Sequence, residues 1–151
     1  MPAPATPPLT ADCIIRLDGD AHRVVFIERA NPPRGLALPG GFVDPGERVE
    51  AAACREAREE TGLVVTLVAL LGVYSAPDRD PRGHTASCVY IADAQGTPIA
   101  DDDAASVVVR DPATVSGLVF DHDGMINDYQ HWLRTGEPAP VNPQGRNGHD
   151  Q

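Results

Sequence analysis

Glu56, Glu59 and Glu60 stand at i, i+3 and i+4 in a segment, residues 47–61, that is rich in Ala, Glu and Arg and is followed by Gly62. Acidic residues at its start and a glycine just past its end are the marks of a helix. On that helix Val49, Ala53, Glu56 and Glu60 share one stripe, with Ala52 and Glu59 beside it, while Ala51 and Arg58 point the other way. A surface helix ordinarily keeps apolar and acidic residues on opposite faces; here small apolar side chains run into three carboxylates. Like charges this close repel, and partial burial adds a desolvation cost. Two arrangements meet that cost. One is a solvated Glu/Arg face laced by i,i+4 pairs. The other is a site for a hard divalent cation, Mg2+ or Mn2+, because oxygen ligands cluster there and no His or Cys is near to favour zinc.

The surrounding residues separate the two. From Gly41 to Leu63 the chain reads GFVDPGERVEAAACREAREETGL. This resembles the Nudix box, G-x5-E-x7-R-E-U-x-E-E-x-G-U, where U is a bulky aliphatic residue. Its fixed positions are all met, by Gly41, Glu47, Arg55, Glu56, Glu59, Glu60 and Gly62. At roughly 7% usage per residue type, chance agreement is on the order of one in a hundred million per start point. Ala57 is smaller than the usual aliphatic residue, a departure that bears on packing and not on chemistry.

The resemblance implies roles position by position. Glu56, Glu59 and Glu60 would ligate Mg2+ or Mn2+ together with the backbone carbonyl of Gly40. Arg55 would pair with Glu47 and hold the loop against the helix, Gly41 would permit the bend, and Gly62 would end the helix. Cations so held polarise a diphosphate and lower the pKa of the attacking water, and a carboxylate takes the water's proton. The family often adds an acidic residue from a loop after the central strands. Asp102 or Asp103, in the run Asp101-Asp102-Asp103, is the candidate further ligand or base, the alternative being a solvated acidic turn.

Residues 74–85, YSAPDRDPRGHT, bring Arg79, Arg82 and His84 together in a chain poor in positive charge. Two prolines stiffen this connection and Gly83 bends it, so its polar groups can be held in place for a substrate's phosphates or ribose hydroxyls. The plainer reading is a rigid connection whose Asp and Arg residues pair with each other. The stretch RDPRGH also resembles a segment of Nudix proteins related to ADP-ribose pyrophosphatases. That implies hydrolysis of a nucleoside diphosphate linked to another moiety, above all ADP-ribose to AMP and ribose 5-phosphate.

Other elements must position these residues. Residues 11–17 and 22–28 read as strands of a hairpin around Asp18-Gly19-Asp20-Ala21. Residues 36–43 read as short extended pieces about Pro39-Gly40-Gly41, and residues 63–74 and 85–92 as central strands. Residues 106–110 and 117–120 are shorter strand candidates. Asp121 can cap a last helix to Arg134, whose Met125, Ile126, Tyr129, Trp132 and Leu133 recur at helical spacing. The fold class is therefore α+β, and the resemblance implies a mixed sheet sandwiched between helices. Residues 1–10 read as a flexible proline-rich arm, 11–135 as the domain, and 136–151 as a disordered tail whose residues 137–151 could be deleted at no cost.

The 151 residues suffice for one core. A formal net charge of −10 should repel a nucleic-acid backbone, but not a small phosphate substrate approached through bound cations. Cys13, Cys54 and Cys88 have no pairing pattern and read as reduced core thiols. With no basic or apolar leader and no membrane-length apolar run, the expected location is the cytoplasm. A homodimer is what the family resemblance implies. Two rival functions stand beside the first: a house-cleaning pyrophosphatase of nucleoside triphosphates, and a non-catalytic nucleotide-sensing module. Sensors of that kind usually have a degraded box and an added DNA-binding domain, whereas this box is intact.

Overall fold

A computed structural model describes residues 1–101 and 106–141. Strands β1 (Leu9–Leu17) and β2 (Asp20–Arg29) form the expected hairpin. It turns on Asp18 and Gly19, both at positive φ (54° and 74°), the twist that suits a two-residue connection. Strand β1 starts at Leu9, inside the segment expected to be a flexible arm, and Thr10 and Ala11 are already buried.

The bend at Pro39 separates β3 (Gly35–Ala37) from β4 (Gly40–Phe42). Helix α1 (Val49–Thr61) follows, then β5 (Thr66–Tyr74), β6 (Ala86–Ala94), β7 (Ser106–Arg110) and helix α2 (His122–Thr135). The described strands make one mixed sheet in the order β3-β2-β1-β6-β5, with β4 also on β1 and β7 on β2. β1 runs parallel to β6, and the other pairings are antiparallel.

Side chains alternate across a strand, and β1 uses both sides. Cys13 and Ile15 join Ala52, Ala53 and Ala57 of α1 on one face, while Ile14 joins Phe26, Leu71, Met125, Ile126 and Tyr129 on the other, where α2 packs. The small alanines let α1 lie close to the sheet. Ala57, 1% exposed, sits in that contact, so the departure from a larger aliphatic residue is accommodated.

Further expectations are corrected, and β5, expected to be central, is the last strand on its side of the sheet. Residues 117–120 are not a strand: the Asp123 carboxylate accepts from the amides of Gly117 and Leu118 at 3.0 and 3.1 Å, and Phe120 lies at φ 58°, so the segment is a turn that leads into α2. Nor is the expected tail loose over its described part, 136–141; residues 142–151 lie outside the described residues. Gly136 ends α2 in the left-handed region, and Ala139 is then buried against the α2 face of the core, its amide donating to the Leu71 carbonyl of β5 at 2.8 Å. No helix is long and apolar enough to cross a membrane among the described residues.

Candidate active site

The register of β4 on β1 sets the geometry. Asp12 pairs with Gly40 and Ala11 with Gly41, and a Cβ on Gly40 would run into the Asp12 side chain and the Ala11 carbonyl. A Cβ on Gly41 would lie 2.6 to 2.8 Å from the Glu56 carboxyl group. Gly40 is thus required by close approach to the backbone of β1, whereas at Gly41 the obstacle is the end of the flexible Glu56 side chain, which would have to leave its place. The Gly40 amide donates to Glu60 at 2.9 Å, tying the strand to the last turn of the helix.

Burial pushes the Glu60 carboxyl up to about 8 despite that hydrogen bond, and the charges of Glu56 and Asp12 push the same way. Glu56 is also raised, by burial first and by Glu59, with Arg55 opposing. The Arg55 guanidinium holds Glu47 through two bonds of 2.7 and 2.9 Å, reaches Glu56 at 3.0 Å and Glu59 at 3.2 Å, and donates to the Phe42 carbonyl at 3.1 Å. That pairing draws Glu47 down to about 2, with help from the Asp44 amide, and raises Arg55. The loop is thereby clamped to the helix.

Glu56, Glu59, Glu60 and Gly40 line one cleft with Arg29 and Asp101. Gly40, Glu56, Ile27 and Arg29 also line an adjoining cavity of about 330 Å³ whose other walls include Phe42, Phe120 and Arg82. The two hollows therefore share a wall. A larger hollow of about 660 Å³ lies between residues 62–66 and 93–97, with Asp93 as its charged group, and holds none of the expected chemistry. Asp102 and Asp103 fall outside the described residues; Asp101, which precedes them, lines the cleft.

The residues of the 74–85 connection part company. Arg79 is buried, its side chain 3% exposed, with its guanidinium on both oxygens of Asp121 and on the Thr85 hydroxyl at 2.6 Å. It anchors the start of α2 to this connection, each of its three nitrogens bonded to protein, and it also lines the cavity of about 330 Å³. Arg82 is half-exposed and bidentate on buried Asp80. His84 is exposed, within 3.0 Å of the Ser75 carbonyl, and is not among the residues lining either hollow beside the glutamates.

A family model for the NUDIX domain matches residues 6–138. The chain belongs to the Nudix family. A protein of Methanocaldococcus jannaschii named ADP-ribose pyrophosphatase is 47% identical over 129 residues, which cover 83% of this chain and 75% of that protein. Among solved structures, the Nudix domain of Shewanella oneidensis NrtR complexed with ADP ribose superposes with a TM-score of 0.76 at 27% identity, over 85% of this chain and 90% of that one. A bifunctional NMN adenylyltransferase/ADP ribose pyrophosphatase of Francisella tularensis, complexed with AMP and a Mn ion, gives 0.68 at 29% identity over 87% of this chain and 43% of its own. This Nudix hydrolase thus shares both sequence and fold with enzymes of its family.

The donor set of this Nudix hydrolase suits a hard cation. It is all oxygen, and two of its carboxyls are lifted by burial and mutual repulsion, a strain that a nearby cation relieves. Among the described residues no three acidic, histidine or cysteine side chains already close on one point; Glu56 and Glu59 are turned to Arg55 instead. The sequence reading missed the layer beneath. Asp12 accepts from Ser87 at 2.5 Å and burial raises it to about 6. His122, lowered to about 3 by burial, accepts from the Leu38 amide at 3.0 Å through Nδ1, which puts its proton on Nε2, 3.8 Å from Asp12. The available signal was an acidic residue in the middle of an apolar strand.

Proposed function

We propose that this Nudix hydrolase cleaves the diphosphate of ADP-ribose in a reaction that depends on Mg2+ or Mn2+. The observation that carries the substrate is the 47% identity, over 83% of the chain, to a protein named ADP-ribose pyrophosphatase; the intact glutamate set at the cleft supports turnover over mere binding. Glu56, Glu59 and Glu60, with Gly40, would hold the cation. When bound it neutralises charge on the diphosphate oxygens and acidifies the attacking water. A carboxylate of the cleft accepts the proton from that water, whose oxygen forms a new bond to one phosphorus. The P–O bond of the bridge breaks, and the products are AMP and ribose 5-phosphate. Arg55 keeps Glu47, Glu56 and Glu59 in register during this, and Arg79 positions α2 behind the cleft.

The test is a substrate panel of ADP-ribose, NADH, diadenosine polyphosphates, nucleoside diphosphate sugars and (d)NTPs with each metal, products identified by mass. ADP-ribose should give the highest kcat/KM, and EDTA should abolish turnover. A (d)NTP hydrolysed to its monophosphate with a tenfold higher kcat/KM overturns the substrate, and full activity in EDTA overturns the metal. Binding of ADP-ribose without turnover would assign the chain to the sensing class.

A further inference from the structure

Phe42 and Phe120 stand where the glutamates end. Phe42 follows Gly41 on β4 and is 46% exposed, a large ring left in water beside a cleft. Phe120 is held at φ 58°, a backbone conformation costly for an aromatic residue, and its ring lies 5.2 Å from that of His122. Arg82 approaches both rings, its guanidinium carbon 5.8 Å from the Phe42 ring centre and 5.4 Å from that of Phe120. Arg29 covers Phe120 as well, at 5.2 Å. All four side chains line the cavity of about 330 Å³ that shares Gly40 and Glu56 with the carboxylate cleft.

Arg82 is poorly placed to serve as a cation for phosphate, because Asp80 already takes it in a two-point pair. The same pair fixes the guanidinium plane. A fixed guanidinium among aromatic rings is a stacking surface for a flat, π-rich group. We infer that Phe42, Phe120 and Arg82 form the subsite for the nucleobase, so that the base rests on these side chains while the diphosphate lies at the glutamates. The assignment rests on the hydrolase reading above. It replaces the phosphate or ribose role expected for Arg82 and gives Phe42, a residue within the box that the motif leaves variable, a part in substrate choice.

Two measurements test it separately from the reaction. By calorimetric titration, Phe42→Ala should weaken AMP about tenfold, as loss of one stacking surface does, and leave ribose 5-phosphate unchanged. In steady-state kinetics the same variant should raise KM for ADP-ribose about tenfold with a much smaller change in kcat. Phe42→Trp should restore both values, whereas Phe42→Leu, apolar but not planar, should not. Phe42 is half in solvent, so the variants should keep the wild-type melting temperature. Unchanged AMP affinity in Phe42→Ala, equal weakening of AMP and ribose 5-phosphate, or a Leu variant as good as Phe overturns the subsite. A wild-type enzyme that binds AMP in this way yet does not hydrolyse ADP-ribose overturns the substrate reading and leaves the subsite standing.

Discussion

Arg55 divides one guanidinium between Glu47, which fastens the loop, and Glu56 and Glu59, which face the cleft. Glu56→Gln and Glu59→Gln should each lower kcat by roughly a hundredfold, a loss of about 2.7 kcal/mol of transition-state stabilisation. Neither should lower the melting temperature much, because each removes one member of a repelling set; activity near wild type in either variant would remove the residue from the mechanism. Arg79 behaves oppositely. Arg79→Ala strands the Asp121 carboxylate and the Thr85 hydroxyl, and should cost roughly 3 kcal/mol of stability, read as a lowered urea midpoint. A variant that kept its stability but raised KM would return Arg79 to the substrate. The sequence could not separate Arg79 from Arg82, since both sit beside an aspartate in one short connection. What divides them is Asp121, 42 residues downstream, which reaches Arg79 through the fold.

At the scale of elements, α1, the first hairpin and β7 were legible because each is locally consistent: an Ala/Glu/Arg run closed by Gly62, a turn on Asp18-Gly19, and a short β-branched stretch. Residues 117–120 misled because apolar residues suggested pairing, while the deciding partner, Asp123, lies outside the stretch. The tail misled for the same kind of reason, since one alanine carries its attachment. Deletion of residues 137–151 should now lower the melting temperature by a few degrees, through loss of the Ala139 contact and its hydrogen bond to Leu71; an unchanged temperature would make that contact incidental. The β1–β4 junction is the stricter constraint. Gly40→Ala forces β4 off β1 because the added carbon meets backbone, and the variant should lose both stability, by about 1–3 kcal/mol, and activity.

For the whole molecule, the buried His122 links acidity to folding. Its pKa is about 3 in the fold, lowered by burial and by the charges of Arg79 and Arg29, against an ordinary 6.5. The unfolded chain therefore binds a proton that the folded one refuses. Stability should be whole above about pH 6.5 and should fall progressively towards pH 3, on the order of a few kcal/mol from this group. His122→Gln should flatten that part of the stability profile; an acid limb identical to wild type would place the loss elsewhere. Asp12, facing His122 and raised to about 6, titrates in the same range with the opposite sign, so its own variant is the control.

The Leu71 to Ala139 bond reaches beyond fold stability. β5 is the last strand on its side of the sheet and exposes Val68, Leu70 and Val73, the sort of border on which another chain's strand can grow. The segment laid against it reads Glu137-Pro138-Ala139-Pro140. Its two prolines have no amide hydrogen to offer, the Ala139 amide is given to Leu71, and the Glu137 amide to the Thr135 hydroxyl. A strand arriving from outside thus meets a stretch whose donors are missing or already taken. At Leu71 these four residues thus close the border of the sheet to strand addition, like a selvedge.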